Sequence, residues 1–177
     1  MAETKDWTWV LEEKCPQCGG EVGAIEVPQV GALVRATNLV WRDRLSLPDA
    51  AHIPGPEVWS AVGYACHVRD VHILFRERLE LMLTQDNPTF PDWNPDAAAA
   101  AGDYLNQDPA QVVAQLISEA EVTTAAFDAI SPEDYERTGL RSNGTLFTVR
   151  TLAQYYLHDV QHHVYDVTAG PAAPQTA

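Results

Sequence analysis

His158 and His162 stand four residues apart in Thr148–Thr168, TVRTLAQYYLHDVQHHVYDVT, a stretch with no proline and no internal glycine. Wound as a helix at about 100° per residue, it puts Val149, Leu152, Tyr156, Val160, Val164 and Val167 on one side and Thr151, Tyr155, His158, His162 and Tyr165 on another. One turn apart, the two imidazoles can converge on a single ion, as paired histidines of helical zinc sites do. A third ligand must come from elsewhere in the fold, and His67 is the best candidate. Asp70, one turn further along the same segment, could accept the second ring N–H of a metal-bound His67, or pair with Arg69. His163 lies about 100° from His162 and is expected on the buried side as a packing or hydrogen-bonding residue. His72 reads as core or as support for His67, and His52 as a solvated loop residue. A single helical histidine is more often a satisfied core or surface group than a ligand; the shared polar face sets His158 and His162 apart.

Cysteine adds a second signal. The segment CPQCGG (Cys15–Gly20) resembles one knuckle of a zinc ribbon, yet its partner knuckle is missing, and Cys66 alone cannot complete a four-cysteine site. Three readings stay open: a reduced turn packed on the domain, a structural metal completed by histidine or by another subunit, and a redox pair. Cys66, adjacent to His67 on a helix, is expected to point about 100° away from it.

The elements that must position these groups follow from punctuation and period. A first helix spans Gln29–Leu45 and ends before Pro48; a second runs from Glu57 or Val58 to Thr84 and carries His67. Asn87–Gln107 is irregular, with an alanine run that forms at most a short helical turn. A third helix opens at Asp108-Pro109 and reaches Ile130. Ser131-Pro132-Glu133 reads as a cap and a turn, and Asn143-Gly144 as a tight turn just before the histidine helix. No strand hairpin is expected. The outcome is an all-α four-helix bundle (29–168) with an irregular N-terminal CPxCG extension (1–28) and a flexible tail (169–177).

Composition narrows the function classes. The 177 residues suit one domain, and a net charge of -14, with 11 Lys and Arg against 25 acids, excludes a phosphate backbone as partner. No apolar run is long enough to span a bilayer, and the polar Met1–Asp6 does not read as a signal peptide. An odd cysteine count suits a reducing compartment, so the expected location is the cytoplasm. A homodimer is one assembly such a small bundle could form.

WSAVGYACHVRDVHILFRERL (Trp59–Leu79) and LHDVQHHVYDV (Leu157–Val167) together resemble the DinB-like superfamily. That resemblance implies a four-helix bundle with three histidine ligands, one on the second helix and two on the fourth, which correspond here to His67, His158 and His162. It further implies zinc or nickel with open positions, and an activity related to mycothiol- or bacillithiol-dependent S-transferases and isomerases. The expected enzyme activates a low-molecular-weight thiol for transfer to an electrophile, with Tyr155 or Tyr165 positioning the thiol and Arg141 contacting an acidic substrate. Asp159 and Asp166 are expected to support the ligands from behind. A metal-dependent hydrolase, which needs no thiol, is the nearest alternative. A non-catalytic metal-binding stress protein is the other, and it requires a saturated site of four ligands, such as Cys15 or Cys18 would help to complete.

Overall fold

Four long helices carry the chain: α1 (Val27–Leu45), α2 (Ala61–Thr84), α4 (Pro109–Asp128) and α5 (Val149–Thr168), with a short α3 (Pro95–Ala101) between α2 and α4. The computed structural model describes residues 7–174, so Met1–Asp6 and the end of the expected tail (175–177) lie outside the described residues. Each start has a local cause. Asp108 accepts the Gln111 amide at 2.9 Å with Pro109 behind it, and Ser60 Oγ accepts the Gly63 amide at 3.1 Å. Thr148 and Thr151 exchange side-chain and backbone bonds, a capping box that fixes the first turn of α5. Helix α2 begins later than its apolar pattern suggests. Glu57 adopts φ +63° and Gly55 bridges to Val58, so the chain is still turning there. The Asn143-Gly144 turn closes a small hairpin that the sequence reading does not anticipate. Strands β1 (Thr138–Leu140) and β2 (Leu146–Thr148) pair antiparallel, and Gly144 takes φ +88° between them.

Round the bundle the order is α1, α4, α2, α5, so the consecutive helices α1 and α2 sit on a diagonal. Helix α1 approaches α4 closely where Gly31 meets Asp128; a Cβ at Gly31 would come within 2.1 Å of that carboxylate. Trp41, Phe75, Leu79, Phe127, Leu152 and Tyr156 fill the interior. Both flanks, as far as they are described, pack on the bundle. Arg44 donates to the carbonyls of Val167 and Ala172, each at 3.1 Å, and Ala172 is buried. The N-terminal segment lies along α5, with Val10, Cys15 and Val22 buried and Gln154 donating to the carbonyls of Gly23 and Ile25 at 3.1 and 2.9 Å.

His72 belongs to the core, as its position predicts. Its Nδ1 is hydrogen-bonded to the Tyr156 hydroxyl at 2.7 Å, and burial pushes its pKa down to about 3. The folded state therefore holds His72 neutral, whereas the unfolded chain takes up a proton below its ordinary pKa of about 6.5. Stability from this group is complete above that pH and is lost as pH falls towards 3. Urea titrations between pH 4 and 7 are expected to show a steeper acid loss for the wild type than for His72→Phe. At pH 7, Tyr156→Phe should cost about 1–3 kcal/mol, because it leaves a buried ring nitrogen without its partner.

Candidate metal centre

Position along α5 decides which side chains meet. Residues 159 and 163, one turn apart, face α2, and there Asp159 Oδ1 lies 3.5 Å from His67 Nε2 and 3.5 Å from His163 Nε2. These spacings exceed the 2.7–3.2 Å of N–H···O hydrogen bonds. They match the roughly 3.4 Å that separates donors around a tetrahedral ion with bonds of about 2.1 Å. Asp159 Oδ1 is buried without a hydrogen-bond partner, as a carboxylate oxygen awaiting a cation would be. The three residues thus form a donor set that fits a divalent ion, two imidazoles and one carboxylate.

The electrostatics prepare these ligands. Burial lowers the pKa of His67, so its ring stays neutral. Burial alone would raise the Asp159 carboxyl, but His67, His163 and His158 outweigh it and bring the carboxyl down to about 2. His163 Nδ1–H donates to Asp166 Oδ2 at 2.8 Å, which turns the Nε2 lone pair towards the centre. His67 is held by packing instead: Trp59 and Trp93 flank it, each with ring centroids 5.4 Å away. Asp70 does not support His67 directly; it accepts from Arg69 Nε at 2.8 Å and from the Tyr104 hydroxyl.

The centre opens into a cleft of about 1200 Å³, lined by His67, Asp159 and His163 and walled by Trp7, Trp59, Tyr64, Trp93 and Tyr104. Among the described residues no lysine or arginine lines it, while Glu57, Asp96 and Asp166 do.

The residues expected from the sequence divide between this centre and other places. His67 is in it. His158 and His162 line the cleft but point their ring nitrogens at the N-terminal segment, where Cys15 and Cys18 meet them. His67 therefore groups with Asp159 and His163 and not with the expected pair. His163, expected as a packing or hydrogen-bonding residue, does hydrogen-bond Asp166 and also turns Nε2 to the centre, while Asp159 places an oxygen there where a supporting role was expected; Asp166 does have that role. Tyr155 lines the cleft, and Tyr165 does not. Arg141 is also absent from the cleft wall. It is buried (2% exposed) in the hairpin, its guanidinium 6.0 Å from the Tyr155 ring centre, so contact with an acidic substrate has no basis there. Cys66 is buried in the core, away from the centre as expected.

The sequence profile of the DinB superfamily matches residues 32–167. The chain belongs to the DinB superfamily. In architecture this DinB-superfamily protein is similar to YfiT from Bacillus subtilis, described as a probable metal-dependent hydrolase with an unusual four-helix bundle topology. The superposition has a TM-score of 0.69 over 79% of this chain and 82% of YfiT, at 16% identity, a likeness of fold. No curated protein gives a sequence match. Among the described residues of this superfamily member, no helix is long and apolar enough to cross a membrane.

What the sequence reading overlooks is the Asp159/His163 pair, which has the same four-residue spacing as His158/His162. The signal was in the sequence, masked by a neighbouring pair in which both members are histidines. Asp166→Asn replaces the acceptor that fixes His163, so it is expected to weaken metal binding by about 10- to 100-fold while leaving the fold intact. Competition with a chromophoric chelator measures that change.

Proposed function

We propose that the protein is a metal-dependent enzyme whose centre is His67, Asp159 and His163, and that it hydrolyses a neutral or cationic substrate with an apolar body. The observation that carries this reading is the convergence of three donors, with no fourth among the described residues, at an open cleft. Catalytic sites keep a position free for water or substrate, whereas structural sites are closed by four protein ligands. A divalent ion held there, zinc or nickel by family resemblance, lowers the pKa of a coordinated water or thiol towards neutrality.

The chain's own groups account for the rest. Asp159 remains ionised and the His67 imidazole neutral at pH 7, so neither has to lose a proton before it can act as a ligand. Burial pushes the Tyr64 phenol up to about 12 and raises Tyr104 as well, so both act at neutral pH as hydrogen-bond donors and not as bases. Trp7, Trp59 and Trp93 offer apolar faces to a substrate and exclude water around the centre. The carboxylates of the wall repel anions, which favours an uncharged or cationic substrate over an acidic one.

One observation favours a second reading, S-transfer from a low-molecular-weight thiol. The cleft volume of about 1200 Å³ lies above the roughly 300–1,000 Å³ typical for a single small ligand. That leaves room for a thiol beside an electrophile.

The test is turnover of a panel of neutral esters, amides and electrophiles by metal-loaded protein, with and without added thiol. Thiol-independent turnover supports hydrolysis, and strict thiol dependence moves the assignment to S-transfer. No turnover in either arm by protein carrying a full metal complement would sink both. His163→Ala and Asp159→Ala are each expected to lower kcat/KM by more than about 100-fold, with loss of the cleft metal. Metal retention should persist as pH falls to about 6.5 and fail only below it, because the lowered pKa of His67 delays proton competition beyond that of an ordinary imidazole.

A further inference from the structure

We propose that Cys15, Cys18, His158 and His162 form a second metal site, a closed structural zinc centre that fastens the N-terminal segment to α5. It involves none of the three ligands of the proposed catalytic centre and stands independently of that reading. One ligand atom from each of the four residues lies within 4.8 Å of every other. Cys15 Sγ is 3.6 Å from His162 Nδ1, and Cys18 Sγ is 3.7 Å from His158 Nε2. With Zn–S bonds of about 2.3 Å and Zn–N bonds of about 2.0–2.1 Å, a tetrahedral ion separates sulfur from nitrogen by about 3.6 Å.

The surroundings are built for thiolate ligands. Gly19 takes φ +74°, which lets the chain reverse tightly after Cys18. The Cys15 amide donates to the Gly20 carbonyl and the Gly19 amide to the Cys15 carbonyl, each at 2.9 Å. The Gly20 amide donates to Cys18 Sγ at 3.4 Å. On the helix side, His162 Nε2 lies 3.9 Å from Asp166 Oδ1, so the nitrogen not used for the metal faces a carboxylate. Cys15 is fully buried and His158 nearly so.

The donor types and their order, C-x-x-C from a turn and H-x-x-x-H from a helix, are those of closed zinc sites. Binding releases two thiol protons to solvent and leaves two thiolates and two neutral imidazoles round a doubly charged ion. The unit is then uncharged, which suits its burial. With four protein ligands it has no free position for substrate, so its role is to hold a wall in place. That wall includes Trp7, whose ring centroid lies 5.3 Å from that of His162, and Gln17, both of which line the cleft.

The experiment uses the full-length protein purified under reducing conditions, with metal counted per chain and cobalt(II) exchanged for the native ion. The wild type is expected to show thiolate-to-cobalt charge-transfer absorption. Cys18→Ser should lose that absorption and one equivalent of metal per chain, whereas His67→Ala should keep the absorption. Should Cys18→Ser fail to fold, the wild-type cobalt spectrum still decides. Absence of the charge-transfer band from cobalt-loaded wild type, a Cys15–Cys18 disulfide in the purified chain, or an unchanged metal count in folded Cys18→Ser would each overturn the proposal.

Discussion

The geometry of both donor sets depends on the rotation of α5 by about 100° per residue, which sends neighbouring side chains in different directions. His158 and His162 form one row and Asp159 and His163 the next. The first row faces the N-terminal turn, and the second faces His67 on α2. Because α2 and α5 are adjacent round the bundle, the second row acquires its third donor from the core architecture. The first row acquires its donors from a segment outside the bundle. One twenty-residue helix thereby serves two sites of different character.

Burial explains why these sites depend on being completed. A carboxylate removed from water carries a desolvation penalty of several kcal/mol unless it is paired. The His67 ring beside Asp159 stays neutral, and Asp159 Oδ1 has no hydrogen bond. Burial likewise drives the pKa of His158 to about 4 and raises that of Cys18, so neither group acquires the charge that would pair it with the other. Both clusters thus consist of lone pairs facing each other at distances too long for strong hydrogen bonds, an arrangement that a shared cation resolves.

Much of the architecture is written in local rules. The cap Asp108, the prolines round α2 and the apolar stripes give the helices to within a few residues, and the bundle follows. The His158/His162 spacing is equally legible, as is the zinc-ribbon look of CPQCGG. What periodicity cannot supply is azimuth. A sequence tells which residues share a row but not which neighbour the row faces, since that depends on the diagonal placement of α1 and α2 and on where the N-terminal segment lies. For the same reason His163 reads as a packing or hydrogen-bonding residue and not as a donor to the centre. Arg141 looks available because its loop directly precedes the histidine helix. The hairpin instead buries its guanidinium beside Tyr155.

The contrast between three donors and four then separates the roles. In the cleft, the carboxylate and two imidazoles leave part of the coordination sphere to be filled from solution, and the tryptophans beside His67 keep that opening in an apolar setting. At the N-terminal turn, two thiols and two imidazoles close the sphere, so the ion there can only hold. Placing the closed site one residue away from the open one along the same helix couples them mechanically. A displacement of the turn would shift Trp7 and Gln17, which wall the cleft, and would free the α5 row next to Asp159 and His163. Folding the CPQCGG segment onto α5 thus places Trp7 and Gln17 in the cleft wall, which a trailing segment would not do.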